Sequence, residues 1–441
     1  MSYDEFDELD ELELEPETWT ELEKVEKTAF LAALVRQGET EAETNATLSE
    51  LQRLADTAGI EVLGSYTQKR NQPERSTFFG KGFLNDISQK MLQAQAELLI
   101  VNEELSPVQG RNIERDFSIT VIDRTEVILS IFHDHAQTKE AKLQVRLAEL
   151  EYQLPRLKRL WGHFDKERGS ARSAGGSASR GMGEKQIEID KRLIRNNIGK
   201  INKAIHRITH QKETQRKQRE KTRKICLVGY TNAGKSTLFN RLTNAGVLVE
   251  DRLFATLDST SRQLKLATGN PVVISDTVGF ISNLPHHLVA SFKATLMEVQ
   301  DADLLLHIVD VSDERFAYYI DEVNSVLTQI EAAGIKQIVV FNKIDALDDK
   351  YLSLLVRRFP EGAFISASEN RNIDTLIAKV EARIFATQAI KIRLPYDKSA
   401  LVSRLHGIAV IISEDYQEEG IYMEIELPSS DLYLVQEYIK K

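Results

Sequence analysis

Apolar runs alternate with amphipathic segments in the first third of this 441-residue chain. Short apolar runs predict buried strands, and the amphipathic segments between them predict helices. The predicted strands are Ala29–Val35, Ile60–Tyr66, Leu98–Val101 and Ile119–Ile122. The predicted helices are Glu41–Ala58, Lys81–Ala96 and Pro107–Asp116. This alternation indicates a small parallel sheet with covering helices. Within it, Thr77–Gly82 predicts either a helix-capping turn or a contact with an anion or RNA.

Two heptad patterns come next and predict an antiparallel helical hairpin. The first seam consists of Leu143, Leu147, Leu150, Leu154 and Leu157. The second consists of Ile187, Ile194, Ile198, Ile201, Ile205 and Ile208. Residues 162–183 connect them and contain six glycines and four serines. We interpret this connection either as a flexible linker or as a basic loop that becomes ordered on RNA.

A second series of apolar runs predicts another α/β domain downstream. Its strands are Ile225–Val228, Pro271–Ser275, Leu304–Val309, Val339–Phe341 and Ala363–Ile365, and its clearest helix is Glu314–Ala332. Alternating segments at Ile408–Ser413 and Ile421–Leu427 predict a small α+β module at the end. The expected fold class is α/β. The expected divisions are an acidic tail (1–26), an α/β domain (27–136), the hairpin (137–222), a nucleotide-binding domain (223–390) and the α+β module (391–441).

The segment Gly229–Ser236 fits the pattern G-x-x-x-x-G-K-[ST] without mismatch. Its glycines allow backbone N–H groups to point at phosphate oxygens. Lys235 is expected to reach the β- and γ-phosphates, and the Ser236 hydroxyl to bind Mg²⁺. The alternative is a glycine-rich turn without function, but a strand precedes the motif and a helix-compatible segment follows it.

Three further motifs lie at the carboxyl ends of predicted strands, where open α/β sheets bind ligands. Asp276–Gly279 offers a carboxylate for Mg²⁺ and a glycine N–H for a γ-phosphate. Asn342–Asp345 ends in a carboxylate that matches the two N–H donors of guanine, and the amides of Ser366–Ser368 can reach guanine O6. Phe254–Leu257 contains Thr256, the best candidate for a hydroxyl that joins Mg²⁺ only when γ-phosphate is present.

The chain therefore predicts a Mg²⁺-dependent site for GTP and GDP. The expected catalytic residues are Lys235, Thr256 and Gly279, and the expected metal ligands are Ser236, Thr256 and Asp276. The expected nucleotide-binding residues are Gly229, Tyr230, Thr231, Asn232, Ala233, Gly234, Lys235, Ser236, Thr237, Phe254, Ala255, Thr256, Leu257, Asp276, Thr277, Val278, Gly279, Asn342, Lys343, Ile344, Asp345, Ser366, Ala367 and Ser368. Phe280 occupies the position at which many GTPases carry a water-orienting Gln, so slow hydrolysis by the isolated protein is expected.

Charge is distributed unevenly along the chain. The net charge of −10 arises largely from residues 1–23, which contain eleven acids and no Lys or Arg. Such a tail is either solubilising or a competitor of nucleic acid for a basic surface. By contrast, residues 185–224 contain fourteen Lys or Arg and four acids, a local footprint for polyphosphate. The candidate RNA-binding residues are Lys166, Arg168, Arg172, Arg180, Lys185, Arg192 and Arg195.

The cysteine content indicates the compartment. Cys226 is the single cysteine, which excludes intramolecular disulfides and favours a reducing cytoplasm. Cys226 itself is interpreted as a core residue rather than a redox sensor. No apolar run approaches the roughly 20 residues needed to span a bilayer. A monomer is expected.

The combination of motifs resembles the HflX family of ribosome-associated GTPases. The shared features are Phe79–Gly82, Asn102–Pro107, Val121–Arg124, Lys142–Val145 with Leu150–Tyr152, the Gly-rich loop, Phe254–Asp258 and Asp276–Phe280. One departure is Gly181–Glu188, which reads GMGEKQIE where the family usually has GPGETQLE.

The resemblance implies binding to ribosomal RNA of the large subunit and to the 70S ribosome, and a role in splitting or rescuing stalled ribosomes. Two alternatives are a nucleotide-gated RNA-binding protein and an assembly factor for immature large subunits.

Overall fold

The computed structural model describes most of the chain. The described residues are 27–157, 178–217, 222–243, 246, 253–254, 259–266, 271–282, 298–385, 387–417 and 419–439, with side chains 187–211 described within 178–217. The acidic tail and most of the Gly-rich loop, both predicted from sequence, lie outside this set.

The N-terminal domain contains a four-stranded parallel sheet with helices on both faces, as predicted. Its elements are β1 (Lys27–Val35), α1 (Glu41–Thr57), β2 (Ile60–Lys69), α2 (Lys81–Ala94), β3 (Leu98–Val101), α3 (Pro107–Phe117), β4 (Thr120–Asp123) and α4 (Arg124–His135). The strand order is β2-β1-β3-β4. The inner strand β1 is almost wholly buried, whereas the edge strand β2 alternates half-buried and exposed positions after Ile60.

Local capping explains where these helices begin. Thr40 and Ser106 each form a capping box with the residue three positions later. Asp123 caps α4 by accepting the Glu126 N–H. Helix α4 was not predicted from the sequence. The apolar run of β4 ends at the capping residue Asp123, and the helix begins at the next residue, so no polar turn separates the two elements. Gly80 precedes α2 and donates its N–H to Gln68 Oε1 at 2.9 Å, which places the Thr77–Gly82 turn at a helix start.

Two helices form the described part of the hairpin: α5 (Lys139–Gln153) and α6 (Ala178–Lys217). The two heptad seams meet as expected. Leu143, Leu147 and Leu150 pack with Ile201 and Ala204, and the second seam adds four isoleucines that are partly buried. The prediction was wrong at the end of the loop: α6 begins at Ala178, so residues 178–183 are helical. The glycines there do not prevent the helix from extending toward the loop.

The next domain contains a six-stranded sheet in the order β10-β9-β8-β5-β7-β6. Its elements are β5 (Arg223–Gly229), α7 (Lys235–Thr243), β6 (Thr260–Lys265), β7 (Pro271–Asp276), β8 (Leu304–Asp310), α8 (Phe316–Gln329), β9 (Gln337–Asn342), α9 (Asp349–Arg358), β10 (Ala363–Phe364) and α10 (Ile373–Ile384). All pairings are parallel except that of β6 with β7. Cys226 is buried in β5, and burial raises the pKa of its thiol, as expected for a core residue.

A three-stranded antiparallel sheet ends the chain. Its elements are β11 (Thr387–Leu394), α11 (Ser399–Ile408), β12 (Val410–Gln417) and β13 (Gly420–Pro428), with β13 in the centre. The boundary expected at residue 390 falls inside β11. The strand predicted from Ile408 was wrong at its start, because Ile408 is the last residue of α11.

Candidate functional site

The loop between β5 and α7 turns where two glycines are required. Gly229 has φ +149°, and a Cβ there would lie 2.3 Å from Ile308 O. Gly234 has φ +92°, and a Cβ there would lie 2.2 Å from Asn342 Nδ2. No other residue type fits either position without displacing its neighbours. The predicted phosphate-binding loop is therefore held close to β8 and β9.

Lys235 begins α7 and turns back over this loop. Its Nζ donates to Tyr230 O at 2.8 Å and to Gly229 O at 3.2 Å, and the residue is buried. Burial lowers the pKa of Lys235 to about 8, and the Asp276 carboxylate partly opposes this shift. An anion bound beside Nζ would favour the charged form of the lysine further.

Ser236 and Asp276 supply oxygen atoms beside the loop. The Ser236 hydroxyl donates to Asp276 Oδ2 at 2.7 Å, and Asp276 is fully buried at the end of β7. Hydroxyl and carboxylate oxygens are the ligands that Mg²⁺ prefers, and Mg²⁺ takes its remaining ligands from water and phosphate. The two residues therefore fit the predicted metal. Ala255, Thr256 and Leu257 lie outside the described residues.

The segment after Asp276 packs directly on the phosphate-binding loop. Thr277 is buried and donates its hydroxyl to Leu227 O at 2.6 Å. A Cβ on Gly279 would lie 2.8 Å from Thr231 Cγ2 and 2.9 Å from Lys235 Nζ. The structure thus brings the predicted γ-phosphate sensor against the predicted phosphate-binding lysine. Val278 is only partly buried.

Phe280 forms a short parallel bridge to the same loop. Its N–H donates to Gly229 O at 3.1 Å, and its carbonyl accepts the Thr231 N–H at 2.8 Å. The ring of Phe280 is buried in the core between the two α/β domains. The Phe280 side chain therefore packs in the apolar core, and its backbone holds the segment after Asp276 against the phosphate-binding loop.

One amide side chain joins three of the predicted motifs. Asn342 Nδ2 donates to Ala233 O at 2.9 Å, and Asn342 Oδ1 accepts the Ala367 N–H at 3.0 Å. Lys343, at φ +66°, forms an ion pair with Asp310 at 2.6 Å. Ile344 is buried in the turn Ile344–Ala346, which leaves the Asp345 side chain exposed.

The Ser366–Ser368 turn is held by its own hydroxyls and by α7. Ser366 Oγ lies 3.0 Å from Ser368 Oγ, and Arg241 donates to the carbonyls of Ala367 and Ser368. Together with Asn342 and the phosphate-binding loop, this turn completes the expected constellation at the carboxyl ends of the parallel strands. Asn232 lies in the same loop at φ +60°, and Thr237 lies in the first turn of α7.

Phe254 was expected beside the nucleotide, but the structure places its ring between the domains. The ring lies 4.7 Å from that of Phe132 in α4, in an edge-to-face arrangement. The neighbouring Leu253 N–H donates to Thr57 Oγ1 at 3.4 Å. The loop segment at 253–254 is therefore attached to the N-terminal domain.

Sequence reasoning also missed several buried polar groups at this junction. Glu50 and Arg124 of the N-terminal domain contact Tyr230 and Ser282, and all four side chains are buried. A second missed residue is His307 in β8, whose pKa is lowered to about 4 by burial and by the nearby Lys235 charge. The available signal was a charged or polar residue inside an apolar pattern, as at His307 within LLLHIVD.

The predicted RNA-binding residues are described only in part. Arg192 and Arg195 are exposed on α6. Arg180 and Lys185 lie in α6, but their side chains fall outside the description. Lys166, Arg168 and Arg172 lie outside the described residues. Near Arg192, the apolar side chains of Ile189 and Leu193 are also exposed, 43% and 54% respectively.

The described residues, 27–439 with the gaps given above, contain neither a membrane-spanning helix nor a metal-binding cluster of three or more side chains. Over those ranges, no helix is long and apolar enough to cross a membrane. The same part of the chain contains no group of three or more His, Cys, Asp or Glu arranged to hold a metal ion. A Ser–Asp pair that shares its ion with phosphate oxygens is a different kind of site and agrees with this result.

The six-stranded sheet, the glycine-lined loop and the Asn342 constellation define a P-loop GTPase. Three family models match consecutive parts of the chain. They are a GTP-binding GTPase N-terminal model at residues 45–133, a GTP-binding GTPase middle region at 135–219, and a 50S ribosome-binding GTPase model at 224–343.

Curated relatives give the family directly. GTPase HflX of Caldanaerobacter subterraneus subsp. tengcongensis is 40% identical over 92% of each chain. GTPase HflX of Escherichia coli K12 is 40% identical over 87% of this chain and 90% of its own length. The chain therefore belongs to the HflX family and is a GTPase.

One solved structure is similar over much of the chain. A GTP-binding protein from Sulfolobus solfataricus in complex with GDP is 26% identical, with a TM-score of 0.42, over 81% of this chain and 98% of that one.

We expect Gly234→Ala to weaken binding of GDP and GTP together. The added Cβ meets Asn342 Nδ2 and forces a φ that alanine avoids, so the loop must move. Overpacking of this kind costs about 1–3 kcal/mol, which corresponds to roughly a fivefold to hundredfold rise in Kd for both nucleotides. Calorimetric titration measures it.

Gly334→Ala is the matched control, because a Cβ at Gly334 meets nothing within 4 Å. Unchanged nucleotide affinity in Gly234→Ala would contradict the close approach described here.

Proposed function

We propose that this GTPase depends on Mg²⁺, binds the large ribosomal subunit through the basic hairpin, and acts in splitting or rescuing stalled ribosomes in the cytoplasm. Its family membership carries the proposal, and a 50S ribosome-binding GTPase model matches the domain that holds the site. The described geometry supports a separate role for each group of site residues.

The phosphate-binding loop supplies the anion site. Its backbone N–H groups and Lys235 hold the phosphates, and the N-terminus of α7 adds its positive end. Ser236 and Thr256 are proposed to bind Mg²⁺, with Asp276 behind them. The bound ion would neutralise charge on the β- and γ-phosphates. Gly279 is proposed to contact the γ-phosphate through its N–H.

The Asn342–Asp345 turn is proposed to select guanine. Asn342 is fully engaged with Ala233 and Ala367, so its role is to align the loop with the Ser366–Ser368 turn. Asp345 remains exposed at the site, where its carboxylate can accept both N1–H and N2–H of guanine. Adenine does not offer that pair of donors.

The hairpin is proposed to bind ribosomal RNA. The exposed arginines Arg192 and Arg195 lie on one long helix together with further basic residues. Positive charge concentrated along a helix attracts a phosphate backbone, and arginine also stacks on unpaired bases. The packed seam with α5 gives these residues a rigid support.

We expect Asp345→Asn to change the preferred base of the site from guanine to xanthine. The variant keeps one acceptor oxygen but replaces the other with an NH₂ group, which cannot accept the second guanine N–H but can donate to O2 of xanthine. Leaving buried donors unpaired costs about 1–3 kcal/mol, so GTP affinity should fall roughly fivefold or more while xanthosine triphosphate affinity rises. Competition binding measures both affinities, with the exposed Asp349→Asn as the control. Unchanged GTP affinity would refute the assignment of Asp345.

We expect the double change Arg192→Ala and Arg195→Ala to weaken binding to 50S subunits and to reduce its dependence on salt. Each lost phosphate contact lowers the slope of log K against log salt by about one unit at most. Affinity for GTP should not change.

The matched control replaces Arg357 and Arg358 of α9 with Ala. These arginines are also exposed, and their replacement removes the same amount of positive charge. Equal effects of the two double variants would indicate a general electrostatic attraction and reject the hairpin as the binding element.

We expect slow GTP hydrolysis by the isolated protein and stimulation by purified 50S subunits. Phe280 cannot orient the attacking water, so the basal rate should be on the order of 10⁻⁴ to 10⁻³ s⁻¹, as in other incomplete sites. Stimulation of about a hundredfold corresponds to about 2.7 kcal/mol of barrier. Single-turnover kinetics with and without 50S measure it, and no response at saturating occupancy would refute the scheme.

The same reaction with 70S ribosomes tests whether GTP drives separation of the two ribosomal subunits. Subunit separation, followed by light scattering, should depend on GTP. Preferential binding to precursor particles without separation would identify an assembly factor instead.

A further inference from the structure

The junction between the two α/β domains contains a compact group of polar side chains, which we call the Glu50 cluster: Glu50, Asn102, Arg124, Tyr230 and Ser282. Glu50 lies on α1 of the N-terminal domain, where only 2% of its surface is exposed. Tyr230 belongs to the phosphate-binding loop, and Ser282 follows Gly279 by three residues. The cluster thus joins the N-terminal domain both to the phosphate-binding loop and to the segment that follows Gly279.

Glu50 is the common acceptor in this cluster. The Tyr230 hydroxyl donates to one of its carboxylate oxygens, and the Ser282 hydroxyl donates to the other at 2.5 Å. The Ser282 N–H in turn donates to the Tyr230 hydroxyl at 2.6 Å. Glu50 therefore fixes the distance between Tyr230 of the loop and Ser282, which lies two residues after Phe280. Burial and the adjacent carboxylate raise the pKa of Tyr230, which keeps the phenol as a donor.

Arg124 anchors Glu50 in its own domain. Its Nη2 lies 3.2 Å from Glu50 Oε2 and donates to Ser282 O at 3.2 Å. Its Nη1 donates to Asn102 Oδ1 at 3.1 Å, and Asn102 Nδ2 donates to Thr47 Oγ1. Because these groups are buried, removing one partner leaves another unpaired, which is costly.

The cluster lies directly beside the closed contact between Gly279 and Lys235. Phe280 is bridged to Gly229 and Thr231, and a Cβ on Gly279 would be 2.9 Å from Lys235 Nζ. Even one added carbon atom on Gly279 would overlap Thr231 and Lys235 Nζ, and a phosphoryl group is larger than a carbon atom. A γ-phosphate held by both residues therefore requires the Gly279–Ser282 segment to move away from the loop.

We propose that Glu50 is a positioning residue that favours the closed arrangement of Gly279 on Lys235, so that the N-terminal domain itself discriminates against GTP relative to GDP. The inference rests on the proposed role of Gly279. GTP must displace Ser282 from Glu50, whereas GDP does not need to. By linkage, GTP then weakens the docking of α1 on the nucleotide site.

The test compares two affinities in one protein. The full-length chain is titrated with GDP and with a non-hydrolysable GTP analogue, and the ratio of the two Kd values is taken. Glu50→Gln keeps the shape of the side chain but replaces an acceptor oxygen with a donor. We expect the ratio of Kd for the analogue to Kd for GDP to fall about fivefold to fiftyfold. Tyr230→Phe removes one hydroxyl and should change the ratio in the same direction.

The matched control is Glu149→Gln in α5. Glu149 is also fully buried, and it pairs with His133 of α4 and Arg146 of α5. This variant should lower Tm while leaving the ratio of Kd values unchanged. If Glu50→Gln does not fold, the ratio of Kd values in Tyr230→Phe and hydrogen exchange in the unaltered protein still test the proposal.

Hydrogen exchange in the unaltered protein gives an independent result. Amides of α1 near Glu50 should exchange faster with the GTP analogue than with GDP. An unchanged ratio in both variants, an equal loss of both nucleotides, or equal exchange in the two states would overturn the inference. Failure of the unaltered protein to bind guanine nucleotides would instead overturn the proposed function, so the two failures are distinguishable.

Discussion

The hydrogen bonds of Asn342 are the contact on which the nucleotide site depends. The amide joins Ala233 of the phosphate-binding loop to Ala367 of the last turn, at 2.9 and 3.0 Å. For this contact, the loop must approach β9 so closely that a Cβ at Gly234 would overlap the amide. The glycine and the asparagine therefore depend on each other. The phosphate-binding loop, Asn342 and the Ser366–Ser368 turn therefore form one connected unit at the carboxyl ends of the strands.

The N-terminal domain uses the carboxyl end of its own sheet differently. In open α/β sheets this edge is where ligands bind. Here Arg124, which follows β4, donates to Ser282 O of the nucleotide-binding domain and also to Asn102, which follows β3. Apolar contacts surround the polar ones, among them the Phe132–Phe254 ring pair and the Tyr230–Tyr319 pair at 4.2 Å. The junction is therefore built like a domain core, with charge at its centre.

Much of the fold was predictable because each strand is a short apolar run and each nucleotide motif follows one. The parallel sheets, the heptad contact and the placement of Asn342, Lys235 and Ser236 were expected on that basis. Antiparallel β6 was not, because its sequence, TSRQLK, is polar and only its pairing with β7 makes it a strand. Likewise, no periodicity in α1 indicates that Glu50 faces another domain. Its partners are 180 and 232 residues away.

The long helix α6 has a mechanical consequence for the nucleotide site. At 1.5 Å per residue, its 40 residues extend about 60 Å, and the chain reaches β5 only a few residues after Lys217. A force acting on the hairpin would therefore be transmitted to the first residues of β5. Asp303 anchors that point, accepting from the Arg223 guanidinium at 3.0 Å and from the Lys224 N–H at 2.8 Å. The carboxylate therefore fixes the start of β5 to the start of β8, so the strand that leads into the phosphate-binding loop is anchored at the end nearest the hairpin in sequence.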